Sequence, residues 1–102
     1  MPQDKRERRF VDFVRSKLDQ PLDERIFEFY TWKGIVVMRD ADKFHKVAQA
    51  LGQKELLVGR DGMPGYDLRV PGDFGNWTVA LKEELRETFS EKYGSQYKIS
   101  WL

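Results

Sequence analysis

Apolar residues recur along this chain with a period that changes from segment to segment, and each period predicts an element. In residues 3–18 they fall every three or four positions, which indicates an amphipathic helix with one apolar face. The positions on that face are Phe10, Val11, Val14 and Leu18. Asp4 and Glu7 have the spacing of a capping box at the helix start, and Pro21 prevents its continuation.

Residues 25–39 are rich in β-branched and aromatic side chains, which favour a pleated sheet. The Lys-Gly pair at positions 33–34 suits a two-residue hairpin turn. The cross-strand pairs of that hairpin would be Trp32 with Ile35, Tyr30 with Val37 and Glu28 with Arg39. One long bent strand is the alternative, because lysine is not favoured where φ must be positive.

The next segment predicts a second amphipathic helix over residues 41–51, with helical apolar spacing that has no gap. Its apolar face consists of Phe44, Val47, Ala48 and Leu51. Asp40 or Asp42 can cap the start of this helix, and Gly52 suits the position after its end.

The rest of the chain predicts a hairpin, a long helix and a final strand. Residues 55–60 and 66–70 are typical of two strands joined by a turn. Residues 77–93 predict the strongest helix, because four apolar residues follow each other at intervals of four: Trp77, Leu81, Leu85 and Phe89. Residues 96–102 alternate as a half-buried strand does, with one face formed by Tyr97, Ile99 and Trp101.

The predicted element order is α, β(β), α, β, β, α, β, which indicates a single α+β domain over residues 1–102. Without the first helix the pattern is βαββαβ, the ferredoxin-like pattern, here with four or five strands and an extra N-terminal helix. A hairpin within residues 26–39 conflicts with that pattern, since its first strand is flanked on both sides. A winged-helix fold is the alternative, and residues 44–58 resemble the first half of a helix-turn-helix.

Composition limits the classes of function. The 102 residues are 40% hydrophobic and include three Trp, four Tyr and seven Phe, which suffices for a single core. The formal net charge of +1 gives no strong overall attraction to nucleic acid or anionic membranes. The absence of cysteine and the single histidine leave little for the usual nucleophile, redox and zinc chemistry. With no long apolar run and no signal-peptide pattern, we expect a cytoplasmic protein without a membrane partner, and the composition is also typical of heat-adapted proteins.

Two sets of side chains are candidates for binding. A basic run in the first helix is typical of a phosphate-contacting arm, and aromatic rings on strands stack on bases or cover a subunit interface. The nucleic-acid hypothesis uses Lys5, Arg6, Arg8 and Arg9 together with Trp32 and Trp101. The interface hypothesis uses Tyr30, Trp32, Tyr97 and Trp101.

The candidates for chemistry are less specific. Five glycines precede the last predicted helix without the spacing of a phosphate-binding loop, so we interpret them as turn residues: Gly59, Gly62, Gly65, Gly72 and Gly75. Three polar residues near the second helix do not share one helix face and predict no metal site: Asp40, Asp42 and His45. The candidate carboxylates for a small hydrolase or isomerase are Asp61, Asp67 and Asp73.

We therefore predict a small non-enzymatic binding domain without cofactor or metal, which forms a homo-oligomer or binds a protein partner. Nucleic-acid binding is the second hypothesis, and a small enzyme with carboxylates near the glycine-rich segment is the third. The predicted fold does not choose among them, because ferredoxin-like frames carry many functions.

Overall fold

The computed structural model describes residues 4–102, in which three α-helices and six strands alternate. The helices are α1 (Lys5–Lys17), α2 (Ala41–Ala50) and α3 (Arg86–Tyr93). The strands are β1 (Phe27–Tyr30), β2 (Ile35–Met38), β3 (Glu55–Val58), β4 (Pro64–Arg69), β5 (Asn76–Leu81) and β6 (Lys98–Trp101). Within this described part, no helix combines the length and the apolar character needed to cross a bilayer.

The strands form one mixed sheet in the order β1-β2-β5-β4-β3-β6. β2 pairs in parallel with β5, and β3 with β6, while the other three pairs are antiparallel. The crossovers β2-α2-β3 and β5-α3-β6 both join parallel strands and move the same way across the sheet. Because such crossovers are almost always right-handed, α2 and α3 belong on the same face. α2 indeed packs against both α3 and α1.

The core lies between the helices and that face of the sheet. α1 contributes Phe10, Val11 and Val14, and α2 contributes Phe44, Val47 and Ala48, all essentially without exposure. Edge-to-face ring contacts connect the layers, with centroids 5.2 Å apart between Phe10 and Phe27 and 5.3 Å apart between Phe44 and Phe89. Such aromatic contacts add to the stabilisation from area burial alone.

Several predicted elements are confirmed. α1 begins where the Glu7 backbone N–H donates to Asp4 Oδ1 at 2.8 Å, although the predicted start at residue 3 lies outside the described residues. α2 begins where the Lys43 N–H donates to Asp40 Oδ1 at 3.0 Å, and Gly52 after its end has a φ of +72°. Strands β3, β4 and β6 are also found within two residues of their predicted bounds.

The helix predicted over residues 77–93 is wrong in its first half. Residues Asn76–Leu81 form β5, a central strand between β2 and β4, and only Arg86–Tyr93 is α-helical. A spacing of four residues fits a period of 2 as well as a period of 3.6, so Trp77 and Leu81 also lie on one face of a strand. The run from 77 to 81 is apolar on both faces except for Thr78, which is typical of a central strand.

The first hairpin exists, but its register differs from the predicted one. Tyr30 pairs with Ile35, so four residues rather than two connect the strands, and Gly34 takes a φ of +68°. The shift is by two residues, so each side chain keeps its predicted face. Arg39 still reaches Glu28, with Nε donating to Oε2 at 3.1 Å across a diagonal.

The α+β class is therefore confirmed, whereas the finer topology differs from the ferredoxin-like order. Two more strands, β1 and β5, join the sheet, and β6 pairs in parallel with β3 at its edge. The winged-helix alternative is wrong. Its recognition helix would lie at residues 53–58, where β3 instead pairs with β4 on one side and β6 on the other.

Candidate binding surfaces

The face of the sheet opposite the helices is open, and we call it the open face. Register places one row of its side chains across the sheet, namely Glu28, Val37, Ala80, Gly65, Leu57 and Ser100. The neighbouring row contains Tyr30, Ile35, Thr78 and Asp67. The middle of the first row is therefore apolar, whereas the second row places Thr78 and Asp67 on the two central strands. Charged pairs occupy both margins, Glu28 with Arg39 and Glu55 with Lys98.

A groove of about 170 Å³ crosses the middle of the open face. Ala80 and Gly65 form part of its lining, and larger side chains, Ile35, Leu57 and Met63, stand around it. Gly65 is required there, because a Cβ at this position would lie 2.7 Å from the Val79 carbonyl oxygen. Leu57 beside the groove is 49% exposed.

A buried ion pair fixes α1 to the end of the sheet. Arg6 Nε donates to Asp73 Oδ2 at 2.8 Å, and the Asp73 side chain is fully buried. The Trp77 indole N–H donates to the same carboxylate at 3.0 Å, and the Arg6 guanidinium lies 4.3 Å from the Trp77 ring centroid. Arg6 also donates to the carbonyl oxygens of Thr31 and Asn76, so it joins the 31–34 turn to the 70–75 loop.

The electrostatics of Asp73 follow from these contacts. Burial by itself raises the pKa of the Asp73 carboxyl, but the hydrogen bonds from Arg6, the Gly75 N–H and Trp77, together with the Arg6 charge, outweigh it and hold the pKa below its usual range. Asp73 is therefore ionised and permanently engaged. It stabilises the fold and is not available as a catalytic acid.

Two aromatic rings project from the loops that Arg6 joins, and we call Trp32 and Phe74 the aromatic tip. Trp32 is 84% exposed and Phe74 is 90% exposed. Lys33 Nζ lies 5.0 Å from the Trp32 ring centroid, and the Arg6 guanidinium lies 5.6 Å from that of Phe74. Both rings therefore stand next to a cation at the same end of the sheet.

The basic run of α1 divides into engaged and available cations. Arg6 is held by Asp73, and Arg8 Nη1 donates to the buried Glu24 at 3.1 Å. Lys5 and Arg9 form no ion pair with any residue between 4 and 102. A Cβ added to Gly72 would lie 3.5 Å from the Arg9 side chain, so Arg9 lies beside the loop that carries Phe74. Two of the four predicted basic residues thus have a structural role, and the other two, Lys5 and Arg9, line the surface next to Pro71.

The four aromatic residues of the predicted interface do not come together. Tyr30 lies on the open face at β1, and Trp32 lies in the turn after it. Trp101 is at the other edge of the sheet, where it faces the helix side, 66% exposed with the Arg86 guanidinium 5.2 Å from its ring centroid. Tyr97 is buried beneath α2.

Tyr97 belongs to a polar cluster between α2 and α3. Its hydroxyl lies 2.8 Å from His45 Nδ1, and the His45 ring stacks on Tyr93 with centroids 3.8 Å apart. Asp42 accepts hydrogen bonds from both Lys92 and the Tyr93 hydroxyl. Burial lowers the pKa of His45 against the opposing charge of Asp42 and raises the pKa of Tyr97. The cluster connects two helices through satisfied contacts.

The candidate carboxylates also separate. Asp61 accepts from the Met63 N–H in the β3–β4 turn, and Asp67 accepts from the Thr78 hydroxyl; both line the groove of the open face. Asp73 lies beyond the other end of β4, where it forms the buried ion pair with Arg6. Over residues 4–102, no group of three or more His, Cys, Asp or Glu side chains is placed to hold a metal ion.

Sequence reasoning missed Leu57 and Phe74. Leu57 stands between two buried residues of β3, and the alternation of a strand required it to face the opposite side. Phe74 lies between Gly72 and Gly75, and an aromatic residue in a glycine-flanked turn has no neighbours to cover it. A search of known proteins found no family model, no curated protein and no solved structure that matches this chain.

Proposed function

We propose that this chain is a non-catalytic interaction domain that associates with a second copy of itself through the open face. The observation that carries the proposal is the position of Leu57, which is half exposed beside a groove with a glycine and an alanine in its lining. The groove has room for about five water molecules, which is also enough for the four carbon atoms of a leucine side chain.

A two-fold dimer would use both the exposed Leu57 and the groove beside it. The same patch meets itself in a two-fold dimer, so each Leu57 enters the groove of the other copy. Sheets packed face to face lie roughly 10 Å apart, a distance that inward side chains of this size fill. The ion pairs of Glu28 with Arg39 and of Glu55 with Lys98 keep the margins neutral. Asp61 and Asp67 beside the groove are the charges that two copies must accommodate.

The test is the molar mass of the protein in solution across a concentration series, measured by light scattering and sedimentation. The wild type is expected to approach twice the monomer mass. Leu57→Lys places a charge in the proposed contact and is expected to remain a monomer. Because Leu57 is exposed in the monomer, its circular dichroism and thermal midpoint should stay close to those of the wild type.

Trp101→Lys is the matched control. Trp101 is also an exposed apolar residue on a strand, but it lies at the β6 edge on the helix side. This variant is expected to dimerise as the wild type does. A wild type that remains a monomer at the highest concentration contradicts the proposal. So does a dimer that Trp101→Lys dissociates and Leu57→Lys does not, since that pattern locates association at the β6 edge.

A further inference from the structure

We propose that the aromatic tip binds single-stranded nucleic acid, with bases stacked on Trp32 and Phe74 and phosphates on the cations around them. The two rings come from different loops, yet one guanidinium holds both loops. Arg6 Nη1 donates to the Thr31 carbonyl oxygen at 3.1 Å, directly before Trp32, and the same group lies 5.6 Å from the Phe74 ring centroid. The two loops that carry the rings are thus joined by contacts inside the protein, before any ligand arrives.

The exposure of the rings suits stacking. A base needs an uncovered ring face, and at 84% and 90% exposure both Trp32 and Phe74 provide one. Base stacking on an aromatic side chain contributes about 1–3 kcal/mol per base and does not depend on which base it is. Two rings on adjacent loops therefore predict affinity without strong sequence preference.

Cations around the rings supply the electrostatic part. The unpaired ones at this end are Lys5, Arg9, Lys33 and Arg69, none of which forms an ion pair within residues 4–102. Arg69 reaches this end because it pairs across the sheet with Asn76, whose carbonyl oxygen accepts from Arg6. The whole chain carries only +1, and these four are among the ten Lys and Arg side chains that form no ion pair within residues 4–102. They supply positive charge for phosphate contacts beside the rings.

The acids at this end are engaged. Asp4 caps α1, Asp73 is buried against Arg6, and Glu7 accepts a hydrogen bond from the Thr31 hydroxyl. A flat anionic membrane would meet the exposed Asp4 as well as the neighbouring Lys5, and the Asp4 carboxylate would repel it. A flexible strand contacts the cations along its own path, so the interleaved charges favour a strand over a lipid surface.

The experiment is a fluorescence-anisotropy titration of a labelled oligo-dT of about twelve nucleotides, within the range that single-strand-binding modules cover, at several salt concentrations. Wild type is expected to bind, with affinity that falls as salt rises. Trp32→Ala and Phe74→Ala are each expected to weaken binding by roughly 5- to 150-fold, the range that 1–3 kcal/mol of stacking predicts. Arg69→Ala is expected to reduce the slope of log K against log salt by about 0.7, the value for one phosphate contact on a single strand.

Trp101→Ala is the control, since it removes an exposed tryptophan that lies at the far edge of the sheet. It should bind as the wild type does. No oligo-dT binding at low salt overturns the proposal. It is also overturned if the two tip variants bind normally, or if phosphatidylserine vesicles bind in a Trp32-dependent manner while oligo-dT does not. Leu57→Lys should bind with unchanged affinity per chain, so failure of the proposed dimer and failure of this site are distinguishable.

Discussion

The two faces of the sheet are built from the same strands but are buried in different ways. On the helix side, β2 and β5 present Val36, Met38, Trp77, Val79 and Leu81, all covered by a second layer. On the open face the same strands present Val37 and Ala80, which are also buried although no described helix lies over them. Their small size lets the neighbouring strands and side chains cover them. The largest side chains of these two strands, Trp77 and Met38, lie on the side that a second layer covers.

The largest expected difference between the faces comes from removing a ring on the helix side. Phe44 is fully buried and contacts Phe89 and Tyr66. Phe44→Ala is expected to lower the free energy of unfolding by about 3–5 kcal/mol, because it removes the ring and leaves a cavity. Phe74→Ala makes the same change at an exposed ring and should alter it by no more than about 0.5 kcal/mol. Urea denaturation of both variants checks this, and equal losses would contradict it.

The next effect concerns the ion pair at the end of the helix-covered layer. Asp73→Asn leaves Arg6, whose side chain is only 18% exposed, without a counter-charge. We expect a loss of about 2–3 kcal/mol in the free energy of unfolding near neutral pH. Asp67→Asn is the control on the open face, where the carboxylate is exposed and accepts from Thr78, and it should change little. A similar loss in both variants would show that the ion pair of Asp73 with Arg6 contributes no more to stability than the exposed Asp67 does.

This effect has a definite pH dependence. The pKa of Asp73 is lowered in the folded state, so the ionised carboxylate stabilises the fold at every pH above its ordinary value of about 4. That stabilisation disappears as pH falls through the lowered folded pKa. The difference in unfolding free energy between wild type and Asp73→Asn is therefore expected to be constant from neutral pH down to about 5 and to shrink in stronger acid. A difference that grows on acidification would rule out this role for Asp73.

A smaller effect of opposite sign is expected at Tyr66, also on the helix side. Its hydroxyl is buried and has no hydrogen-bond partner in the described chain, and burial strongly raises its pKa. Tyr66→Phe removes an unsatisfied polar group and is expected to raise the free energy of unfolding by about 1 kcal/mol. Tyr97→Phe removes a hydroxyl that contacts His45 and Gln49, so it should destabilise. If Tyr66→Phe lowers the thermal midpoint as Tyr97→Phe does, the hydroxyl of Tyr66 has a partner.

The smallest expected effect sharpens the contrast between adjacent residues of β3. Leu57→Ser changes an exposed side chain on the open face, and in dilute solution it should alter the unfolding free energy by no more than about 0.5 kcal/mol. Leu56→Ala changes a buried neighbour on the helix side and should cost about 2–5 kcal/mol. Chemical denaturation at low protein concentration measures both. A large loss for Leu57→Ser would mean that the open face is covered within the monomer.

Local signals predicted those elements that depend on local contacts. Asp4 and Asp40 cap their helices as their positions indicated, and Gly52 ends α2. β5 was missed because it pairs on one side with β2, which is distant in sequence, and because spacing by four does not distinguish a strand from a helix. The missed strand separates β2 from β4, and the position of β6 beside β3 also departs from the predicted order.

The candidate surfaces were predicted only in part. Basic residues were visible in the sequence, but which of them remain available depended on Asp73 and Glu24, far along the chain. Trp32 was identified by its residue type, whereas Phe74 lies in a separate loop that Arg6 joins to the turn of Trp32. The partners of a surface residue come from tertiary contacts, which periodicity in one sequence does not contain.

The interleaved strand order also affects how the chain folds. β5 and β4 lie between β2 and β3, so neither crossover forms a complete βαβ unit by itself. The parallel pairs join residues that are far apart, such as Val36 with Val79 and Leu56 with Ile99. Long loops must close before these pairs can form. Folding should therefore take roughly milliseconds to seconds, which is slower than a helical bundle of this length. Three strand pairs join the parts of the chain before and after the β3–β4 turn, so neither part should fold without the other.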